Sequence, residues 1–295
     1  MSQAKPNAPQ HLFTNHSRRF ENFRFAYPVI SRRSGGLSIG LNLNPDKVCN
    51  FDCIYCQVDR VRQSETRFVE TDQLLTELES LLELATSGRL YETPRFRTTP
   101  EPLRRLNDIA FSGDGEPTTY RNFDEIVASV ADTKRRFGLD KTKLVLITNA
   151  SMFHRPAVER GLAILDANQG EIWAKLDAGT EDYYALVERT KIPFARVLAN
   201  ITAAAAVRPL VIQALFMQIH GEPPPAEEID AFCDRLLEIT SGGGQLKLVQ
   251  IYTVARQPAE SYVTPLSNSA VDTIVARVRE RTGLSTVGYY GSSPP

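Results

Sequence analysis

The chain has 295 residues, with 34 basic and 35 acidic side chains, a formal net charge of −1, 42% apolar residues and four cysteines. This is the composition of a globular protein with ample length for a buried core, and it excludes a histone-like polycation and a disulfide-dense secreted scaffold. The opening MSQAKPNAPQHLFTN lacks a basic segment followed by an apolar one, and the longest apolar runs, 198–207 and 210–219, fall short of the ~20 residues that span a bilayer. The expectation is a cytoplasmic protein with no membrane segment, whose thiols stay reduced and, where clustered, hold metal.

In chain order, residues 1–35 read as a basic N-terminal arm. Lys5, Arg18, Arg19, Arg24, Arg32 and Arg33 face Glu21 alone, with Phe20, Phe23, Phe25 and Tyr27 interleaved. Such an arm either packs on the main domain with its arginines solvated or touches an anionic partner. Residues 36–290 read as the core domain and 291–295 as a tail. Within the core, β-rich runs at 37–43, 109–112, 144–148, 172–176, 210–219 and 246–253 alternate with helical spacing. The helical faces are Leu74, Leu75, Leu78, Leu81 and Leu82; Phe123, Ile126, Val127 and Val130; Val158, Leu162 and Leu165. Two more follow: Ile229, Phe232, Cys233, Leu236 and Leu237, then Val271, Ile274, Val275 and Val278. Residues 91–105, rich in Pro, Thr and Arg, read as an extended loop or insertion. About six strand–helix repeats with continuously apolar strands imply an α/β fold of parallel strands covered by helices.

Functional groups of such folds gather at the C-terminal ends of the strands. There the chain places residues 49–56, then 113–116, Asn149, Asp177 with Lys175, Gln218 and His220, and finally Tyr252 and Arg256. The first of these segments, CNFDCIYC, holds Cys49, Cys53 and Cys56. Spacings of four and three let three thiolates face one soft metal centre. Iron–sulfur clusters usually take four cysteines, but Cys233 lies on an apolar helix face and reads as core. Three ligands on a four-iron cube leave one iron open, as a catalytic site requires. A structural zinc site needs a fourth ligand, and His11, His16, His154 and His220 are all distant and without ligand spacing.

With Tyr55 just before its last cysteine, this loop resembles that of the radical S-adenosylmethionine (SAM) superfamily. FSGDGEPT at 111–118 resembles the glycine-glycine-glutamate motif that ends the second strand in that family, here with Asp114 between the glycines. Together with NLNPDKVCNFDCIYCQVDR and KLDAGTEDYY, the sequence is similar, from about Tyr27 to Arg256, to the wyosine-synthesis-related iron–sulfur oxidoreductases. The tRNA wyosine enzymes bind an auxiliary cluster through further N-terminal cysteines, and no cysteine here precedes Cys49.

The resemblance implies a partial (β/α)6 barrel with mostly parallel strands. It implies one [4Fe-4S] cluster on Cys49, Cys53 and Cys56, with S-adenosylmethionine on the open iron. Gly113, Gly115 and Glu116 are then expected to hold the methionine portion: the glycines by close backbone approach, the glutamate by offering a carboxylate to the ammonium. Tyr55 is expected at the adenine, and Asn149, Lys175 and Asp177 at the ribose or the methionyl carboxylate. For Asn149 and Asp177 the alternative is capping of the next helix, and Gln57, Asp59 and Arg60 only order the loop. The implied activity is reductive cleavage of S-adenosylmethionine and abstraction of a substrate hydrogen by a 5′-deoxyadenosyl radical. A small molecule or peptide is the first substrate expectation, a wyosine-type RNA base the second, and a non-enzymatic zinc-stabilised binding protein the third reading. The expected partner is a reductant such as flavodoxin or ferredoxin.

Overall fold

A computed structural model describes residues 20–60, 64 and 66–291. Its frame is one eight-stranded sheet. In chain order the strands are β1 (Ala26–Ser31), β2 (Gly36–Leu41), β3 (Leu106–Phe111), β4 (Lys143–Thr148), β5 (Gly170–Lys175), β6 (Leu210–Leu215), β8 (Leu246–Tyr252) and β10 (Thr286–Tyr289). That is also their order across the sheet. β1 pairs antiparallel with β2, and every other neighbour is parallel. The sheet curls into the expected partial barrel. Among the described residues seven α-helices accompany it: α1 (Thr71–Thr86), α2 (Phe123–Arg136), α3 (Pro156–Asp166), α4 (Glu181–Glu188), α5 (Phe194–Val207), α6 (Ala226–Ser241) and α7 (Asn268–Thr282).

The strands read as continuously apolar because both faces are covered, by different partners. Ile109, Phe111, Leu144, Leu146, Ile172 and Ile212 point outward into the large core shared with the helices. Ala110, Val145, Trp173 and Val211 point inward and form a small apolar band across the lumen. The five helical faces expected from spacing are α1, α2, α3, α6 and α7, and each buries its apolar stripe. Cys233 is fully buried in α6, and Leu237, grouped with it by periodicity, is exposed.

Three departures from the sequence reading bear on the site. The expected arm enters the described residues at Phe20, and its 26–31 segment is the edge strand β1. Phe20, Phe25 and Tyr27 are buried, and the buried carboxylate of Glu77 on α1 accepts the backbone N–H groups of Arg24, Phe25 and Ala26. The expected 210–219 strand is two elements. After β6 the N–H of Phe216 turns to the carbonyl of Tyr252, and β7 (Met217–Ile219) pairs antiparallel with β9 (Val263–Pro265). Residues 91–105 form no open loop, since short 3-10 turns at Arg89–Glu92 and Glu101–Leu103 bury Leu90, Tyr91 and Leu103. Residues 1–19 of the expected arm, with Lys5, Arg18 and Arg19, lie outside the described residues, as do 292–295 of the tail.

Candidate active site

Most, though not all, of the expected strand-end groups lie around one opening of the half-barrel. A cavity of about 280 Å³ opens there, lined by Cys49, Cys53, Cys56, Tyr55, Gly113, Gly115, Glu116 and Asn149, and running into the lumen past Lys175, Trp173 and Gln213. Gln57, Arg60, Tyr252 and Arg256 also line it. Gln218 lies on β7 and His220 just beyond it, away from the cavity, and His220 stacks on Tyr262 with ring centres 4.5 Å apart.

The cysteine loop has no regular secondary structure of its own and borrows rigidity from α4. Backbone N–H groups of Asp52 and Ile54 donate to the carbonyls of Glu188 and Val187. Buried Ile54 and Phe51 anchor it, with Phe51 edge-on to Tyr184 of α4. All three cysteines are free and partly exposed. Burial raises the Cys49 thiol above its ordinary pKa. It raises Cys53 further, helped by Glu188, whose Oε2 accepts the Cys53 thiol at 2.6 Å. Arg60 donates to the Cys56 sulfur at 3.6 Å.

The glycine loop packs against the backbone leading into this loop. A Cβ on Gly113 would lie 2.2 Å from Asn42 Oδ1, and one on Gly115 2.2 Å from the Val48 carbonyl oxygen, so neither position admits a side chain. Asp114, the residue that departs from the family's commonest form, has a partner for its position. Its N–H donates to Asn42 Oδ1 and its carboxylate accepts from Asn42 Nδ2 at 2.7 Å. Asp114 thereby fastens the glycine loop to the end of β2.

Glu116 is 3% exposed. Its carboxylate, expected to meet a ligand ammonium, already accepts several of the protein's own donors. Oε1 accepts from Thr118 N–H, Thr118 Oγ1 and Thr148 Oγ1 (3.1, 2.5 and 2.6 Å), and Oε2 accepts from Asn149 N–H at 2.7 Å. Burial raises its pKa and these four bonds oppose the rise. One lone pair of Oε2 stays uncommitted, the most a ligand ammonium can use without displacing a partner. Asn149 lines the cavity and bridges to the cysteine loop, donating to Asn50 Oδ1 at 2.9 Å.

Tyr55, Lys175 and Asp177 form one buried network. Tyr55 donates to Asp177 Oδ2 at 2.6 Å, Lys175 Nζ lies 2.9 Å from the same oxygen, and Leu215 N–H donates to Oδ1. Lys175 also sits 4.8 Å from the centre of the Tyr55 ring and donates to the Tyr252 hydroxyl. Burial pulls the Lys175 ammonium down, yet Asp177, Tyr252 and Glu188 hold it well above its ordinary value. Asp177 itself stands behind the cavity wall, bracing Tyr55 and Lys175, and not on the lining.

Glu188 and Thr148 were not anticipated. Glu188 closes an amphipathic helix, where a glutamate usually means a solvated face, and nothing in its spacing marks it as buried. Burial and the Asp177 charge push its pKa up to about 8.

Among the described residues, no three His, Cys, Asp or Glu side chains are gathered tightly enough to hold a lone metal ion. A four-iron cube takes each thiolate on a different iron, so its ligands stand apart. Three part-exposed thiols on one wall of a cavity fit that donor set.

The sequence profile of the radical SAM superfamily matches residues 43–236. The chain therefore belongs to that superfamily, whose cofactors are a [4Fe-4S] cluster and S-adenosylmethionine. It is 26% identical over 166 residues to a Brachyspira hyodysenteriae protein named GTPase Obg, covering 55% of this chain and 20% of that protein. It is 24% identical over 229 residues to a Helicobacter pylori UPF0026 protein, covering 75% of this chain and 65% of the other. The chain thus spans less than two thirds of the length of either relative. Its fold is similar to that of Streptococcus suis SuiB in a crystal structure bound to S-adenosylmethionine, with a TM-score of 0.57 and 13% identity over 88% of this chain and 52% of that one.

Proposed function

We propose that the half-barrel cleaves S-adenosylmethionine reductively and takes a hydrogen atom from a small molecule held in its lumen. When bound, the cluster and S-adenosylmethionine supply a 5′-deoxyadenosyl radical, with the electron coming from a donor such as flavodoxin or ferredoxin. Cys49, Cys53 and Cys56 hold the cluster. Backbone groups around Gly113 and Gly115 receive the methionine portion, with Glu116 fixing the shape of that loop and Tyr55 and Asn149 flanking the nucleoside. Lys175, braced by Asp177, keeps a positive charge at the mouth of the lumen. The protein's part is to orient and to exclude water.

One observation carries this reading: the three thiols and the glycine loop open on a single cavity that continues into a walled lumen of small-molecule size. A lumen of that kind favours a small substrate over an RNA base. Three of the basic residues that raised RNA lie outside the described residues. Among the others, Arg24 and Arg32 belong to segments bonded into the domain. No helix among the described residues is long and apolar enough to cross a membrane.

Anaerobic reconstitution tests the reading. It is expected to give about 4 iron with matching labile sulfide per chain, and 5′-deoxyadenosine that depends on dithionite. Zinc without sulfide, or a loaded protein that makes no deoxyadenosine, overturns it.

A further inference from the structure

Arg33 belongs to the turn between β1 and β2, yet its side chain reaches the lumen. Its guanidinium carbon lies 5.7 Å from the centre of the Trp173 ring on β5 and 5.1 Å from that of Tyr252 on β8. The neighbouring Arg32 is used elsewhere, donating to the Tyr290 carbonyl at 2.5 Å. Of the other cations on the cavity lining, Lys175 is paired with Asp177 at 2.9 Å and Arg60 donates to the Cys56 sulfur and the Lys47 carbonyl. Arg33 has no such partner. Among the described residues it makes no ion pair or hydrogen bond; it lies over two aromatic faces, with Arg32 and Tyr289 near enough to feel its charge. Two rings fix a guanidinium while leaving its N–H edge unused, and that edge matches a carboxylate or phosphate in fork geometry.

A second unfilled group lines the same cavity. Gln213 is fully buried, its Nε2 donates to Gln250 Oε1 at 2.8 Å, and its Oε1 has no partner. A buried acceptor left unmet is costly, and a ligand N–H or O–H would relieve it.

We propose that Arg33 is the anion-recognition residue of the lumen. The substrate, on the reading given above, is a small organic acid whose carboxylate or phosphate docks on the Arg33 guanidinium and whose N–H or O–H group meets Gln213. The apolar band of Ala110, Val145, Trp173 and Val211 takes the remainder of the molecule.

Trp173 is the only tryptophan of the chain, so its fluorescence reports on this site alone. The full-length, anaerobically reconstituted protein is titrated with sodium acetate and, separately, with inorganic phosphate, with sodium chloride at matched ionic strength as control. The expected result is a saturable change with acetate or phosphate, and not with chloride. Its midpoint should shift by about tenfold to a hundredfold in Arg33→Gln, the loss of charged hydrogen bonds. Arg33→Lys, which keeps the charge and loses the fork, should fall between, provided that circular dichroism shows both variants folded. Preference for acetate identifies a carboxylic acid and preference for phosphate a phosphate ester, and each sustains the proposal. Equal response to chloride, no saturation with either anion, or an unchanged midpoint in Arg33→Gln overturns it. A wild-type protein that makes deoxyadenosine but titrates flat refutes the anion site alone. Saturation without deoxyadenosine refutes the cofactor reading alone.

Discussion

The Cys53 thiol lies 2.6 Å from the carboxyl of Glu188, the last residue of the helix that steadies the cysteine loop. The central cysteine is therefore the one most tightly built into the protein, while Cys49 and Cys56 sit nearer the surface of the loop. Cys53→Ala is expected to retain well under half of the wild-type iron after reconstitution and to abolish deoxyadenosine formation. Iron and sulfide analysis beside chromatographic detection of deoxyadenosine checks both.

Glu116 ties the ends of β3 and β4 together, so its replacement should be felt in stability as well as in cofactor binding. Glu116→Ala strands the hydroxyls of Thr118 and Thr148 and the N–H of Asn149 in a buried pocket. With about 1–3 kcal/mol for each unmet buried group and partial relaxation, a loss of roughly 3 kcal/mol is expected in urea denaturation. A loss within error would mean that water or a rearranged loop meets those donors.

Gly115→Ala tests the close approach of the two loops. Its Cβ would stand 2.2 Å from the Val48 carbonyl and 2.8 Å from Asn44 Cβ, contacts that only a backbone shift relieves. Overpacking of this kind costs about 1–3 kcal/mol. Because the shift falls one residue before Cys49, S-adenosylmethionine affinity should drop at least about tenfold, each 1.4 kcal/mol being one decade. Calorimetric titration of the reconstituted variant measures it.

Asp108 makes stability depend on pH. It is 2% exposed on the inner face of β3, bonded to Ser38, and burial pushes its pKa up to about 6. Below the unfolded value of 3.8 both states are protonated and nothing is lost. Between 3.8 and 6 the folded state keeps a proton that the unfolded state has released, so stability falls as pH rises, and above 6 the full cost applies. Two units correspond to roughly 3 kcal/mol. Asp108→Asn should therefore gain on the order of 2–3 kcal/mol over wild type at pH 8 and almost nothing at pH 4, read from paired denaturation curves.

How much of this was legible in the sequence differs by residue type. Residues 49–56 and 111–118 declared themselves, because thiols at short spacing and a glycine-rich strand end are rare in combination. The helices declared themselves through Leu74 to Leu82 and its counterparts. Hidden were groups whose meaning depends on distant partners: Glu188 needs the fold to bring it 135 residues back to Cys53. Arg33 looked like one more charge of a basic arm, since periodicity says nothing about a turn reaching across a lumen. β1 was concealed because its residues, and the turn from Arg32 to Gly35 that joins it to β2, read as part of a basic arm. The split at Phe216 was concealed because an apolar run carries no sign of which sheet each half joins.

The sheet's two faces divide labour in a way that bears on how such a fold changes over evolutionary time. The outward face, packed on the helices, carries nearly all of the buried apolar contact, while the inward face contributes a band of four buried apolar residues. Substituting a lumen residue therefore draws on a small share of the folding energy. New substrates become reachable by altering Trp173, Gln213 or Val211 while the scaffold stays intact. Robustness outside and freedom within make the inner wall the natural target for redesigning specificity.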